Sequence, residues 1–382
     1  MLFRSASMVL DGWADLARTF TFEEIRPGAL GPVLVRKEPV GVSAGIIPWN
    51  VPLFIVALKL GAALAAGSPM ILKPSPETPL DAYILGEILD EIELPKGMVS
   101  ILPAGREVGE YLVRHPGVDK VAFTGSTAAG RRVGAICGEH LKRCTLELGG
   151  KSASSRMIAA DLEAIMPMLM GTALMVNGQA CIAQTRILAS RDRYDEVVDA
   201  LRDAVAATTV GDPTDPSVAV GPLVAERQRD RVLGYIEKGR EEGAKVAVGG
   251  GRPEGLDKGW YVEPTLFVDV DNRMTIAREE IFGPVLAVLP YEDVDEAVRI
   301  ANDSDYGLSG SVWTSDVEAG IEVAKRVRTG TYGVNQFGTL DMRNPFGGYK
   351  ASGVGRELGP EGLSAYLETK SIVLPGDYTP PS

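Results

Sequence analysis

The chain is 382 residues long and 45% apolar, more than one small core absorbs, so about two globular domains are expected. A net charge of −12 and a sequence pI near 4.9 leave no electrostatic footprint for nucleic acid or for an anionic membrane surface. Three cysteines, Cys137, Cys144 and Cys181, are too few and too odd in number for a disulfide framework, and with only His115 and His140 beside them a zinc site or a Cys-His dyad is argued against.

Residues 1–20 place Arg4, Asp11, Asp15 and Arg18 around Met8-Val9-Leu10, too short an apolar run for a secretory leader. The most apolar stretch, 46–72, is interrupted by Pro48, Pro52 and Lys59, so it does not read as one spanning helix. Together these features predict a cytoplasmic protein with neither a nucleic-acid nor a membrane partner. Residues 22–44 hold two extended runs, 23–26 and 33–36, around Pro27-Gly28 and Gly31-Pro32, which predicts a hairpin. From Gly41 onward, strand-like segments 42–47, 69–73, 98–102, 119–123 and 143–147 alternate with helix-like segments 52–66, 79–91, 106–114 and 127–139. That alternation predicts a parallel sheet covered on both faces, with ligands beyond the carboxyl ends of its strands.

Several polar groups fall at those strand ends. Asn50 sits between Pro48 and Pro52, either as an amide aimed at a developing oxyanion or as the cap of the helix beginning near Pro52. Lys73 ends an apolar strand, either facing the same crevice or snorkelling into water. Gly125 and Ser126 open a helix after Phe123-Thr124, suited to a phosphate or simply to a capped turn; the GxGxxG fingerprint does not occur in the chain. Glu147, flanked by Leu146 and Leu148, is either a desolvated base or the partner of Lys151.

A second alternating series follows. Helices are expected at 162–176, 193–206, 223–242, 293–303 and 316–328, and strands at 185–190, 245–248, 261–268, 285–290, 308–314 and 331–335. Ser152-Ala153-Ser154-Ser155-Arg156 reads as a poor strand former, and Pro167 predicts a kink in its helix. That helix ends at Asn177-Gly178, which places Cys181 on a short connector, either as a nucleophile held by a rigid scaffold or as an inert packed thiol. Phe346, at the head of the Gly-rich run 347–355, either walls a pocket or anchors the loop. Residues 367–376 read as an edge strand able to pair with another subunit.

Taken together, the chain resembles the NAD(P)-dependent aldehyde dehydrogenase superfamily. The resemblance rests on Ile47-Pro48-Trp49-Asn50, Lys73-Pro74-Ser75, Phe123-Thr124-Gly125-Ser126, Glu147-Leu148-Gly149-Gly150-Lys151, Gly178-Gln179-Ala180-Cys181, Glu280-Ile281-Phe282-Gly283-Pro284-Val285 and Pro345-Phe346-Gly347-Gly348-Tyr349-Lys350, in family order and covering nearly everything from Glu23 onward. It implies an α/β fold of two Rossmann-like parallel-sheet domains plus a small oligomerisation hairpin. The boundaries expected are a residual N-terminal segment at 1–21, the hairpin at 22–40, a truncated dinucleotide-binding domain at 41–150, a catalytic domain at 151–351 and a C-terminal segment with an oligomerisation strand at 352–382. Family members carry a longer lead-in before the hairpin, which predicts exposed apolar faces on the first domain.

The resemblance further implies Cys181 as nucleophile, Glu147 as base, Asn50 as oxyanion donor and Lys73 as a cation organising the site and the cofactor ribose. It places Ile46, Pro48, Trp49, Lys73, Ser75, Glu77, Gly105, Phe123, Thr124, Gly125, Ser126, Leu148, Glu280 and Phe282 at the dinucleotide, Phe346 in the substrate pocket, and no metal. The implied activity is oxidation of a small-molecule aldehyde to a carboxylic acid through a cysteine thiohemiacetal and thioester, in a homo-oligomer, dimer or tetramer. NAD is expected, with NADP possible: relatives preferring NAD place a carboxylate three positions after the lysine, where this chain has Pro76, followed by Glu77. The alternative is a catalytically silent, truncated relative that binds nucleotide or a partner subunit. Which aldehyde is taken depends on the surroundings of Met175, Ile182 and the loop 336–344.

Overall fold

The computed structural model describes residues 2–156, 161–338 and 341–379. The chain forms two compact units: Met1–Glu147 with Leu340–Phe346 and Val354–Ser382, and Leu148–Thr339 with Gly347–Gly353. Among the described residues, no helix is long and apolar enough to cross a membrane.

The first unit opens on a helix, α1 (Leu2–Thr19), for which sequence reading gave no element. Its inward stripe, Ala6, Val9 and Trp13, recurs at helical spacing and is buried. Trp13 lies against Gly61, where a Cβ would meet the indole at 2.3 Å. Next come β1 (Glu23–Arg26) and β2 (Val33–Pro39), paired antiparallel as expected. The C-terminal strand Leu367–Val373 joins the other edge of β2, so it pairs within its own chain and forms one edge of the three-stranded sheet.

The alternating region becomes β3 (Ser43–Ile46), α2 (Pro52–Ala66), β4 (Met70–Lys73), α3 (Leu80–Glu91), β5 (Val99–Ile101), α4 (Arg106–Arg114), β6 (Lys120–Thr124), α5 (Thr127–Glu139) and β7 (Arg143–Glu147). The strands run parallel in the order β7-β6-β3-β4-β5. The order therefore reverses at β3, and the crevice between the ends of β3 and β6 is where an open parallel sheet takes its ligand. Leu80, Tyr83, Ile84 and Ile88 on α3 are exposed.

The second unit holds β8 (Ala153–Arg156), α6 (Leu162–Ala173), β9 (Arg186–Ser190), α7 (Tyr194–Ala206), α8 (Glu226–Glu241), β10 (Lys245–Val248), β11 (Thr265–Val268), α9 (Thr275–Arg278), β12 (Val285–Tyr291), α10 (Val294–Asn302), β13 (Tyr306–Gly307), β14 (Gly310–Trp313), α11 (Val317–Arg326) and β15 (Gly333–Val334). The sheet order is β10-β11-β12-β9-β8-β14-β15, with only the β10–β11 pairing antiparallel among these described strands. β12 feeds two cores by alternation: Val285, Ala287, Leu289 and Tyr291 join one, while Leu286 and Val288 join the other.

Two expectations change here. The serine-rich segment after Lys151 is a strand after all, held between β9 and β14. The Ser154 hydroxyl is satisfied laterally: Trp313 Nε1 donates to Ser154 Oγ at 2.9 Å, the Ser154 and Ser311 hydroxyls share a 3.2 Å hydrogen bond, and Ser311 donates to Gln184 Oε1 at 2.6 Å. Propensity lost to ladder pairing and to this buried network. The strand expected at 261–268 begins only at Thr265, directly after Pro264, which supplies no ladder donor. α6 carries Pro167 inside a continuous helical span.

Candidate active site

In the second unit the helix leading to Cys181 is stopped by three consecutive left-handed residues, Val176 (φ 52°), Asn177 (φ 59°) and Gly178 (φ 73°). A β-branched residue in that region is strained, and strain persists only where the surroundings over-determine it. Here the clamp is visible. Asn177 Nδ2 donates to Pro222 O at 3.1 Å and its Oδ1 accepts from Gly221 N at 3.0 Å, while Gln179 Oε1 accepts from Val224 N at 3.1 Å. A Cβ at Gly178 would lie 2.1 Å from Gly283 O. Gly178→Ala is therefore expected to destabilise the protein by about 2–4 kcal/mol, measured by urea denaturation.

Cys181 follows this turn as a partly exposed cysteine that is not in a disulfide. Gly150 approaches its backbone so closely that a Cβ there would meet Cys181 O at 2.2 Å. The Gly150 N–H goes to Glu280 Oε1 at 2.8 Å. Burial raises the Glu280 carboxyl to about 7, against that hydrogen bond and the Lys151 charge. Phe282, at φ 64°, presents its carbonyl to Gln228 Nε2 at 2.8 Å, and Leu148 N donates to Ser352 O at 2.9 Å. Gly150, Gly178, Ala180, Glu280 and Phe282 line one small cleft, so three segments distant in sequence meet around the cysteine turn.

The remaining residues singled out belong to the first unit. Ile46 ends β3 and is buried; Pro48 and Trp49 follow in the loop that leads to α2. The N-cap of α2 is Val51, so Asn50 is not its cap; Asn50 instead borders a concavity of about 430 Å³ together with Leu53, Phe54 and Glu77. Lys73 is no snorkel: it is 5% exposed, and its Nζ donates to Pro74 O (2.9 Å) and Ala104 O (2.8 Å), beside Gly105, the N-cap of α4. Burial lowers its pKa, opposed by the charge of Glu77. Ser75 donates its hydroxyl to Glu77, so the lysine, the serine and the acid form one local cluster.

At the end of β6, Ser126 caps α5 by accepting from Ala129 N at 3.3 Å, and Gly125 packs over the Phe123 ring while its N–H donates to Glu147 O at 3.0 Å. The Thr124 hydroxyl is buried without a hydrogen-bond partner. Phe346 is buried and exchanges backbone hydrogen bonds with Glu357. Of the loop 336–344, residues 339 and 340 lie outside the described residues.

Glu147 ends β7 at 4% exposure, and neither carboxylate oxygen has a hydrogen-bond partner. The expected alternative, a pair with Lys151, is not what it makes. Burial, and next the charge of Glu357, push its pKa well above the ordinary glutamate value, opposed by Lys59 and Arg356. Sequence reasoning missed this neighbourhood. Lys59 forms a buried ion pair with Glu357, their side chains 0% and 6% exposed, and the second Glu357 oxygen is unpartnered. The signal was present: Lys59 is the one charge in the apolar helix 52–66, but it served only to exclude a membrane span. Lys59→Met leaves Glu357 buried without its counter-charge, and a loss of about 3–5 kcal/mol in urea denaturation is expected.

A family model described as the aldehyde dehydrogenase family matches residues 3–372. The chain is 52% identical over 365 residues to geranial dehydrogenase of Castellaniella defragrans, covering 95% of this chain and 76% of that protein. Among solved structures, it matches Mycobacterium tuberculosis aldehyde dehydrogenase complexed with NAD+ at a TM-score of 0.97 and 51% identity, over 99% of this chain and 78% of that one. It also matches a mutant of aldehyde dehydrogenase C from Pseudomonas syringae in complex with NAD+ and octanal, at a TM-score of 0.94 and 40% identity, over 98% and 76%. From the span of the family model and the identity to these relatives, the chain belongs to the aldehyde dehydrogenase family, oxidoreductases that act on aldehydes.

Proposed function

We propose that the protein oxidises an aldehyde to a carboxylic acid with NAD through a covalent intermediate on Cys181. The observation that carries this reading is Glu147: a carboxylate buried, unpartnered and held at raised pKa is costly to the fold and suited to take a proton from water. In the first step the Cys181 sulfur adds to the aldehyde carbon. The S–C bond forms as the carbonyl π pair moves to oxygen, and the Asn50 amide and the Cys181 N–H donate to that oxyanion. The nicotinamide ring supplies the acceptor for the hydrogen and electron pair that leave the same carbon. What stays on Cys181 is a thioester, and Glu147 removes a proton from the water that attacks it. Collapse then breaks the S–C bond and releases the acid and the Cys181 thiolate that began the cycle, and Glu147 passes its proton to solvent.

The residues of the first unit fit a dinucleotide. The sheet order reverses between β3 and β6; the buried Lys73 ammonium stands with Ser75 and Glu77 for a ribose; and the orphaned Thr124 hydroxyl precedes the helix start at Ser126. The Glu77 carboxylate repels a 2′-phosphate, so NAD is expected over NADP, and comparing turnover at equal concentrations checks it. The geranial dehydrogenase and octanal relatives point to a long apolar aldehyde, consistent with Leu53 and Phe54 following Asn50. The three-stranded sheet formed by β1, β2 and the C-terminal strand is the element assigned to homo-oligomer assembly, checked by light scattering. No observation favours the catalytically silent alternative.

The test is NAD reduction by purified protein over a panel that includes octanal and geranial, with a thermal shift on NAD addition. Absence of both signals sinks the proposal. Asn50→Ala is expected to lower kcat/KM by about 10²–10³-fold with little change in NAD affinity.

A further inference from the structure

In the second unit, segments far apart in sequence close on the last turn of α10 and the residues after it. Arg186, the first residue of β9, follows Cys181 closely in the chain and is 1% exposed. Its guanidinium is engaged by neutral acceptors: Nε donates to Lys151 O at 3.0 Å, Nη1 to Asn272 Oδ1 at 3.0 Å and to Ile300 O at 3.2 Å, and Nη2 to Ala301 O at 3.3 Å. Ile300 and Ala301 carry closing carbonyls of α10, so the cation stands where the helix dipole is negative. Arg278 and Lys350 meet the same turn. Arg278 Nη1 donates to Asp303 O at 3.0 Å, and Lys350 Nζ donates to Asn302 O at 2.7 Å and to Ser304 O at 3.0 Å.

We propose that Arg186 is a positioning residue: through the Lys151 carbonyl it fixes the loop 149–151 where that loop gives the Gly150 N–H to the Glu280 carboxylate and backs the Cys181 turn. The loop is tight on both sides. Gly150 N donates to Glu280 Oε1 at 2.8 Å, a Cβ at Gly149 would lie 2.5 Å from Glu280 Oε2, and a Cβ at Gly150 would strike Cys181 O. Two glycines have no side chains by which to anchor themselves, so the loop is located from outside, by the fork on the next carbonyl. A planar guanidinium reaches these four acceptors in one orientation, and an ammonium does not. Burying a cation among carbonyls is costly, and an apolar side chain of similar volume would serve packing alone. Burial, and next the Arg278 charge, lower the Arg186 pKa to about 10, so the guanidinium stays charged at neutral pH.

The consequence is felt at Glu280. Its carboxyl is raised to about 7 by burial, opposed first by the Gly150 N–H and then by the charges of Lys151 and Arg231. Arg231 Nη2 also donates to Glu280 O at 2.7 Å, and the neighbouring Glu279 accepts from the Tyr235 hydroxyl at 2.6 Å. If the loop drifts, the anion loses the hydrogen bond that most favours it, and the carboxyl holds its proton at neutral pH. The inference rests on the proposed function only in placing Glu280 at the dinucleotide, where the ionised carboxylate accepts ribose hydroxyls.

The experiment compares the full chain with Arg186→Lys, Glu280→Gln and the double variant, by calorimetric NAD titration between about pH 6 and about pH 9 and by amide hydrogen exchange without cofactor. Expected for Arg186→Lys are faster exchange at amides 149–151 with β12 unchanged, and NAD bound about fivefold more weakly near pH 7 but within about twofold near pH 9, as for a carboxyl titrating about one unit higher. In the Glu280→Gln background the pH dependence should vanish, and Arg186→Lys should add less than about twofold. A purely structural arginine would weaken NAD equally at every pH and additively with Glu280→Gln, or leave exchange at 149–151 as in the parent; either result overturns the proposal. Should Arg186→Lys fail to fold, Asn272→Ala, which removes one anchor of the guanidinium and keeps its charge, is judged by the same two readouts. A parent that binds no NAD sinks the proposed function, and exchange at 149–151 then decides this inference by itself.

Discussion

Cys181→Ala is expected to remove aldehyde-dependent NAD reduction, lowering kcat by at least about 10⁴-fold, while the NAD-induced thermal shift stays as in the parent protein. The size follows from covalent catalysis: without the sulfur there is no S–C bond, hence no tetrahedral species from which the electron pair leaves and no thioester for water to attack. The substitution also isolates the assignment, because Cys137 and Cys144 remain in the chain, on α5 and β7 of the other unit. A small side chain at 181 leaves the turn intact, since its geometry is set by Val176, Asn177 and Gly178 and by the clamp to residues 221–224. Stopped-flow NADH absorbance checks it, and turnover within about tenfold of the parent would remove Cys181 from the mechanism.

The first unit's alternating series was legible because each strand there is a short apolar run bounded by turn residues and each helix follows within a few residues. Ser43–Ile46, Pro52–Ala66 and Met70–Lys73 lie within a residue or so of their expected bounds. The helix Leu2–Thr19 was not, because its apolar stripe of Ala6, Val9 and Trp13 is sparse and only packing on Gly61 shows why it folds. β8 was missed for the opposite reason. Its serines look like loop, and the partners that make them a strand, Trp313, Ser311 and Gln184, are distant in sequence. At the candidate site, Asn177-Gly178 announced the left-handed turn before Cys181, since those residue types tolerate positive φ. Val176 in the same conformation could not be foreseen, nor could the pairing of Lys59 with Glu357, nearly three hundred residues apart. Local chemistry was written in the sequence; the electrostatic setting of Glu147 was written in the fold.

That setting makes Glu147→Gln the more discriminating substitution. The first turnover should survive, because addition of the thiol and loss of the electron pair do not need this carboxylate; a burst of NADH close to one per site is expected. Steady-state turnover should then fall by about 10²–10⁴-fold as the thioester waits for water without a base. The pH dependence fixes the sign. The folded-state pKa of Glu147 is raised, above all by burial and then by Glu357, so the ionised base accumulates only well above 4.5, and parent turnover should climb with pH through that raised value. The variant should lose this limb. Stability should move the other way. Between the unfolded pKa and the raised folded one, the native state holds a proton that the unfolded chain has released, so parent stability declines as pH rises through that window. Glutamine cannot ionise; relative to the parent, the variant should therefore gain stability as pH is raised above about 4.5. Urea denaturation of both proteins at acidic and alkaline pH measures it. A variant that loses the burst, or whose stability tracks the parent at every pH, would show that Glu147 is neither the deacylating base nor the strained carboxylate the fold makes it.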